Sequence, residues 1–463
     1  MIERKNGRGD ERSSFTGKIG FVLAAAGSAV GLGNIWRFPY LAAKYGGGVF
    51  LLVYVALSVT FGFALMAAEI AIGRKTGKSA ISAFGELDKR FTFLGVLGAT
   101  VPVIILPYYS VIGGWVLKYL SGFVVGSAGA MAESTYFENY IARIGEPILW
   151  FALFIGATAL IVLFGVEKGI EKFSKVLMPV LVFLILGISI YTIVTMDGAW
   201  AGVKYYIMPD FSGFTFGTLI ETLVAAAGQL FYSMSLAMGI MITFGSYMKK
   251  DISIEKSVKQ IEIFDTGVAF LAGLMIIPAV FAFSGGDESA LGQGPGLMFV
   301  TLPKIFDAMP GGGFIGAVFF FMVLLAALTS SISLMETVVS IFMDKFKLNR
   351  KISCLIVLGL SVLLGVPSAL GYSAWDGVRI LNMQILDFFD FASNSVLMPV
   401  IALITCIFVG YVLRKGTLEE ELEIGGKFKS KKLYGIVIRY VGPIFIVSIL
   451  VSSVLGAIGI FKI

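Results

Sequence analysis

The stretch Ala24-Ala25-Ala26-Gly27-Ser28-Ala29-Val30-Gly31-Leu32-Gly33-Asn34 interrupts the first long apolar segment of the chain. Three glycines and an asparagine within so short a stretch disfavour a regular helix, because glycine costs backbone entropy there. Gly27 and Gly31 also have the GxxxG spacing that lets two membrane helices approach closely, which would explain the glycines without a break. A second interrupted segment, described below, favours the break.

The composition indicates a membrane protein. Of the 463 residues, 57% are hydrophobic and only 14% are charged, and the mean hydropathy is +0.90. These values lie outside the range of water-soluble enzymes. Histidine is absent, and Cys354 and Cys406 lie alone in apolar runs. Histidine acid-base catalysis, Cys/His zinc sites and a disulfide framework are therefore excluded, and we predict that the protein is not an enzyme.

Apolar runs of about 17 to 25 residues or longer predict an all-α polytopic membrane protein with eleven transmembrane helices. These helices lie at residues 18–41, 47–73, 94–124, 147–166, 176–196, 216–247, 261–284, 313–343, 353–370, 380–413 and 434–459. A cytoplasmic N-terminus places 28 of the 36 Lys and Arg residues on the cytoplasmic side, as the positive-inside rule requires. We therefore predict a plasma-membrane protein with residues 1–17 in the cytoplasm and the C-terminus outside.

The sixth span is interrupted at Gln229-Leu230-Phe231-Tyr232-Ser233-Met234-Ser235-Leu236-Ala237-Met238-Gly239, where hydroxyls and small residues replace aliphatic ones. Helices one and six thus correspond, and because they lie five apart, their five-helix units would be inverted. We predict one transporter domain over residues 1–463, with repeats at 18–196 and 216–413 and an eleventh helix at 434–459. Inverted repeats with paired broken helices are typical of secondary transporters. Free amides at a half-helix start attract anions, and free carbonyls at a half-helix end attract cations.

The run Gly27-Ser28-Ala29-Val30-Gly31-Leu32-Gly33-Asn34-Ile35-Trp36-Arg37-Phe38-Pro39 resembles the first-helix signature of the neurotransmitter:sodium symporter family. Gly46-Gly47-Gly48-Val49-Phe50, Tyr108-Tyr109, Gly169-Ile170-Glu171-Lys172-Phe173 and Leu328-Thr329-Ser330-Ser331 extend the resemblance over nearly the whole chain. The chain is similar to the eleven-helix bacterial branch. The resemblance implies a leucine-transporter-type fold, a 5+5 inverted repeat with discontinuous helices 1 and 6.

The resemblance also implies two sodium ions and no organic cofactor. One ion would be bound by Gly27, Val30, Ala326, Thr329 and Ser330, and the other by Ala29, Asn34, Ser233 and Asp265 together with the substrate carboxylate. An alternative for the hydroxyls of Thr329 and Ser330 is bonding back to their own helix. An uncompensated acid at the position of Asp265 would cost at least ~2.5 kcal/mol, so a cation partner is expected there.

The substrate-binding residues implied by the resemblance surround the breaks. They are Ala29, Leu32, Gly33, Ile105, Tyr109, Tyr232, Ser233, Ser235, Met238, Ser330 and Leu334. The lining is uncharged, which favours a neutral hydrophobic amino acid. Amine-carrying relatives place an aspartate at the position of Gly31, so its absence implies a substrate with its own carboxylate. Ala237 replaces the usual glycine, and its methyl is expected to narrow the pocket and to favour aliphatic residues and methionine over tryptophan.

Two charged pairs resemble the gates of the family, Arg37 with Asp390 on the outside and Arg12 with Asp344 on the inside. For Arg12 and Asp344 the alternative is ordinary solvated charges near helix ends. Glu69 and Glu336 are further intramembrane acids to which the sequence assigns no role.

We therefore predict a sodium-coupled symporter of a neutral hydrophobic amino acid that works by alternating access. Because Asp265 supplies a built-in acid, transport is expected to need no chloride. The alternatives are an amino-acid sensor on the same fold and a sodium-coupled carrier of another small zwitterion. An ion channel would need a continuous hydrated path, which a single central pocket does not provide. The expected partners are the amino acid and the lipid bilayer, with no nucleic acid; the oligomeric state stays open.

Overall fold

Segments within lipid must satisfy their own backbone hydrogen bonds, which is why the apolar runs fold as helices. The computed structural model describes residues 14–286 and 294–457, with side chains up to residue 453. In that part of the chain, nine continuous helices are long and apolar enough to cross a membrane. Each helix takes the number of the predicted span to which it corresponds. The nine are α2 (Gly48–Thr76), α3 (Lys89–Val124), α4 (Gly145–Leu163), α5 (Val166–Thr195), α7 (Ile254–Ser284), α8 (Gly312–Phe346), α9 (Arg350–Leu370), α10 (Ile385–Val412) and α11 (Lys431–Ser453).

The two remaining spans are broken, as predicted. Helix α1 bends by 56° where α1a (Lys18–Ala29) meets α1b (Gly33–Lys44). Helix α6 consists of α6a (Phe216–Ser233) and α6b (Ile240–Ser246), which residues 234–239 separate. The all-helical polytopic fold with discontinuous helices 1 and 6 is therefore confirmed.

Several helices extend beyond the apolar runs that predicted them. Helix α5 begins at Val166 instead of near residue 176, and α3 begins at Lys89 instead of near residue 94. The added turns carry charged residues such as Lys168 and Arg90. Hydropathy marks only the part of a helix that contacts lipid, whereas the backbone hydrogen bonds continue into the aqueous layer. The predicted boundaries were therefore wrong at these ends.

Short helices cover both ends of the bundle. Ala80–Leu87 and Thr417–Glu423 lie on the side where the chain enters α1, which we call the N-terminal side. The opposite side carries Ala128–Met131, Tyr136–Ile141, Ala199–Ile207 and Leu302–Ala308.

The broken helices lie at the centre of the bundle. Helix α1a packs against α5, α7 and α8, while α6a packs against α2. Helices α3 and α8 pack along each other and support the breaks from the other side. The fully buried polar side chains of these helices include Asn34, Gln229, Asp265 and Glu336. Burying polar groups costs free energy unless they find partners, so this polar centre is the candidate functional site.

Candidate functional site

The two breaks are joined to each other by side chains. Ser235 Oγ donates a hydrogen bond to the Ser28 carbonyl at 3.0 Å, and Ser28 Oγ lies 3.1 Å from Ser235 Oγ. Gln229 Nε2 donates to the Gly33 carbonyl at 3.0 Å. In both of these bonds to a carbonyl α6 supplies the donor and α1 the acceptor, so side chains of one broken helix satisfy backbone groups at the break of the other.

The break in α6 depends on a buried acid that the sequence left without a role. Ser235 and Ala237 adopt left-handed backbone conformations, with φ of 53° and 59°. Such a conformation costs a residue other than glycine about 1–2 kcal/mol. Glu69 Oε1 on α2 accepts a hydrogen bond of 2.8 Å from the Ala237 amide and so holds this turn. The sequence signal for Glu69 was its position as an acid within an apolar run.

A buried carboxylate lies beside the breaks. Asp265 Oδ1 accepts hydrogen bonds from Asn34 Nδ2 and Ser233 Oγ, both at 2.7 Å. Asp265 Oδ2 accepts a third from the Tyr54 hydroxyl at 3.1 Å. Three donors stabilise a carboxylate well, because hydrogen bonds to an ionised acceptor are the stronger kind. The structure thus brings together three of the four protein ligands that the resemblance implied for one sodium ion, and Ala29 lies at the adjacent end of α1a.

Tyr54 is the residue of this cluster that sequence reasoning missed. Its hydroxyl oxygen also lies 3.1 Å from Ser233 Oγ, and its side chain is fully buried on α2. A tyrosine in an apolar span has no distinctive spacing, since its ring suits the lipid-facing and the buried face equally. Only the packing of α2 against α6 and α7 shows that the hydroxyl reaches the carboxylate.

A second group of oxygens lies between α1a and α8. Ser330 Oγ is within hydrogen-bonding distance of three α1 carbonyls, those of Gly27 at 3.5 Å, Ser28 at 3.1 Å and Val30 at 3.2 Å. Of these acceptors, the Ser28 carbonyl was not expected. Oxygen atoms alone make up this group, which is the chemistry that hard cations prefer.

Thr329 and Ala326 are the other two residues of α8 that the resemblance implied as ligands of the same sodium ion as Ser330. Thr329 Oγ1 bonds back to the carbonyls of Leu325 at 3.1 Å and Ala326 at 3.0 Å, the alternative that the sequence left open. Thr329 nevertheless adjoins α1a, since a methyl group on Gly27 would lie 3.2 Å from Thr329 Cβ. A hydroxyl that donates its hydrogen to its own helix keeps its oxygen lone pairs, so this back-bonding does not prevent Thr329 from binding a cation.

A cavity of about 30 Å³ lies between these oxygen groups. Ten of the eleven predicted substrate-binding residues line it, all except Ser233; they are Ala29, Leu32, Gly33, Ile105, Tyr109, Tyr232, Ser235, Met238, Ser330 and Leu334. The Leu32 amide donates to the Tyr109 hydroxyl at 3.4 Å. A volume of this size holds little more than one water molecule, so an amino acid would have to widen the cavity.

Ala237 does not line this cavity. The expectation that its methyl narrows the pocket is therefore wrong. Its side chain is buried beside the break, and what distinguishes the residue from glycine is the left-handed backbone described above.

A larger cavity of about 370 Å³ lies towards the side opposite the N-terminus. Arg37 and Asp390 both line it, and the guanidinium carbon of Arg37 lies 5.4 Å from the centre of the Tyr232 ring. Asp390 accepts hydrogen bonds from Tyr108 and Asn394 at 3.1 and 2.6 Å. Among the described residues, no ion pair joins Arg37 to Asp390. Tyr232 lines both cavities and so separates the small one from the large one.

The N-terminal side is closed by packed aromatic and charged residues. The Phe15 ring packs edge-on against Phe244 and Tyr247, with ring centres 5.6 and 6.2 Å apart. The Tyr247 hydroxyl donates to Glu336 Oε1 at 2.8 Å, and Arg350 pairs with Glu336 Oε2 at 2.6 Å. Glu336, to which the sequence assigned no role, thus joins α8 to α9 and to the end of α6b.

Of the predicted inner gate pair, Arg12 and Asp344, the structure describes only Asp344. Asp344 Oδ2 accepts a hydrogen bond from the Ser79 amide at 2.6 Å, next to the start of Ala80–Leu87. Arg12 lies outside the described residues.

Comparisons with known proteins agree with this architecture. A family model described as the sodium:neurotransmitter symporter family matches residues 12–128 and 130–458. An uncharacterized sodium-dependent transporter of Bacillus subtilis, YhdH, is 35% identical over 94% of this chain and 96% of its own length. An uncharacterized sodium-dependent transporter of Haemophilus influenzae is 32% identical, with coverage of 96% and 98%. The crystal structure of MhsT in complex with L-phenylalanine superposes with a TM-score of 0.85 at 37% identity, covering 96% of this chain and all of that one.

Proposed function

The chain belongs to the sodium:neurotransmitter symporter family of sodium-dependent transporters, and we propose that it couples the sodium gradient to uptake of a neutral hydrophobic amino acid. One observation carries the proposal: an uncharged cavity lies between two groups of buried oxygens at the paired helix breaks. Such a juxtaposition suits a zwitterion beside cations, because the breaks expose amides and carbonyls to the same small space.

Two sodium ions are proposed as co-substrates. One would be bound by the carbonyls of Gly27, Val30 and Ala326 with the hydroxyls of Thr329 and Ser330. The other would be bound by Ala29, Asn34, Ser233 and Asp265 and would contact the substrate carboxylate. Among the described residues, no group of three or more His, Cys, Asp or Glu side chains could bind a metal ion. Sodium would therefore depend on neutral oxygens and the single carboxylate.

The proposed substrate orientation follows from the ends of the broken helices. The amides of Leu32 and Gly33 at the start of α1b and the Tyr109 hydroxyl would bind the carboxylate. The amine would face the Ser235 and Ser330 oxygens. Ile105, Met238 and Leu334 would contact the side chain, and flexible Met238 can move as the cavity widens. Because Ala237 lies outside the cavity, no size limit follows from it, and phenylalanine, the ligand of MhsT, is included among the candidates.

We propose that transport needs no chloride, and the reason is the balance of charges in the site. Two sodium ions and a zwitterion bring two positive charges into a low-dielectric site, where uncompensated charge is costly. Asp265 offsets half of that charge without a bound anion. Its three hydrogen-bond donors would offset part of the cost of burying that charge.

The surrounding architecture is proposed to supply alternating access. The inverted repeats at residues 18–196 and 216–413 would rock around the central site, with Arg37 and Asp390 closing the outer cavity and Arg12 and Asp344 the inner side. In the plasma membrane, the N-terminal side would face the cytoplasm and the large cavity the outside.

Uptake into proteoliposomes tests the proposed function. Each of the twenty amino acids is offered in radiolabelled form to the reconstituted full chain, with an inward gradient of sodium or of an inert organic cation. We expect uptake of neutral hydrophobic amino acids with sodium alone, and none in protein-free liposomes. Sodium-dependent binding without accumulation would instead indicate a sensor, and equal uptake in both cations would contradict sodium coupling.

A further inference from the structure

A groove of about 660 Å³ lies on the outer face of the bundle between α2 and α7. One wall is a stripe on α2 formed by Leu51, Val55, Val59 and Phe63, which are spaced four residues apart and so share a face. The stripe is roughly 18 Å long at 1.5 Å per residue. That length is close to the depth of one leaflet, about half of the ~30 Å hydrocarbon core.

A buried acid, Glu262, lines the groove. Glu262 on α7 is only 4% exposed, and its Oε1 atom has no hydrogen-bond partner among the described residues. Buried carboxylates are ordinarily paired, because an unpartnered one carries its full desolvation cost. The neighbouring acid shows the contrast, since Glu255 accepts bonds from Lys259 at 2.6 Å, the Lys429 amide at 2.7 Å and Ser430 at 2.8 Å.

A half-exposed cation lies at the same end of the groove. Lys259 Nζ donates to Glu255 Oε1 and to Ser430 Oγ and lies 5.5 Å from the centre of the Phe63 ring. An ammonium has three donors, so Lys259 has one more to offer beyond these two bonds. The side chain is 48% exposed, which leaves it accessible to a ligand.

We propose that this groove binds one phospholipid with a primary-amine headgroup, from the leaflet on the N-terminal side. One of its acyl chains would lie along the α2 stripe, its ammonium would donate to the Glu262 carboxyl group and its phosphate would accept from Lys259. An acid oxygen without a donor beside an ammonium with one N–H to spare is complementary to a zwitterionic headgroup. A quaternary ammonium has no N–H to donate, and an anionic headgroup without an amine offers Glu262 no positive partner. The inference is independent of the proposed substrate.

Lipid titration of the detergent-purified full chain, followed by native mass spectrometry, tests this site. Phosphatidylethanolamine, phosphatidylcholine and phosphatidylglycerol with identical acyl chains are compared. We expect phosphatidylethanolamine to bind at least about tenfold more tightly than the other two, and Glu262→Gln to abolish this preference. Equal binding of the three lipids by the wild type, or an unchanged preference in Glu262→Gln, would overturn the proposal.

A steric variant tests the groove separately from the charge. Gly267 lines the groove, and a Cβ atom there would meet nothing within 4 Å, so Gly267→Trp should fill the groove without disturbing the core. We expect it to lose the high-affinity lipid while its melting temperature stays near that of the wild type. Gly187→Trp is the matched control, because Gly187 is exposed on α5 and equally unobstructed. Retained binding in Gly267→Trp, or equal loss in both variants, would place the lipid elsewhere.

Discussion

Replacing Asp265 by asparagine should make the protein far less sensitive to sodium. The substitution keeps the size of the side chain and one acceptor oxygen but removes the negative charge. The fold should tolerate it, because the Tyr54 hydroxyl, which now donates to Oδ2, can rotate to accept from the new amide. The variant therefore tests the charge of Asp265 with little change in packing.

The expected magnitude follows from electrostatics. A sodium ion about 4 Å from the carboxylate would gain about 4 kcal/mol at an effective dielectric constant of about 20. That figure corresponds to nearly three orders of magnitude in affinity, since 1.4 kcal/mol is tenfold. Local relaxation and the remaining oxygen reduce the loss. We expect the sodium concentration for half-maximal substrate binding to rise by roughly 10- to 1,000-fold.

Equilibrium binding of a radiolabelled amino acid to the purified protein measures this change, with sodium titrated against choline at constant chloride. Asp210→Asn is the control, because Asp210 is an exposed acid that accepts a hydrogen bond from the Ser212 amide at 2.8 Å. Melting temperatures without sodium should show that both variants fold. If Asp265→Asn has the sodium dependence of the wild type, the carboxylate is not a neighbour of sodium and the ion assignment fails.

Three further outcomes are expected. Tyr109→Phe should weaken substrate binding by about 1–3 kcal/mol, because a buried carboxylate loses one hydrogen bond; affinity equal to the wild type would make Tyr109 a packing residue. Gly31→Asp should abolish amino-acid binding and be compared with Gly31→Ala, whose Cβ would already lie 2.7 Å from Ser330 Oγ. Equal losses of amino-acid binding in the two Gly31 variants would show that charge repulsion does not contribute to the loss. Wild-type uptake should be the same in chloride and gluconate, whereas Asp265→Ser should fail or respond to chloride; a wild type that stalls in gluconate would show that Asp265 does not replace the anion.

The sequence alone predicted the helical, membrane-spanning fold and the places where helices 1 and 6 break. Lipid offers no hydrogen-bond partners, so a spanning segment must be long, apolar and helical, and this requirement is visible in composition. Glycines and hydroxyls in the middle of such runs are equally visible, which is why the breaks in α1 and α6 were predicted correctly. The family resemblance then supplied individual residues, and the structure places most of them around one cavity.

The hydrogen-bond partners were decided by tertiary structure. Tyr54 reaches Asp265 across 211 residues of chain, and Glu69 reaches the Ala237 amide across 168. Neither contact follows from hydrophobic periodicity, which shows that a position is apolar but not which distant group it meets. The same limit explains why the prediction that Ala237 narrows the pocket was wrong. Knowing that relatives have glycine at this position does not show whether the alanine methyl group points into the cavity. Local sequence patterns show which segments form spanning helices, because the backbone must be hydrogen-bonded within lipid. Contacts between distant side chains depend instead on how the helices pack.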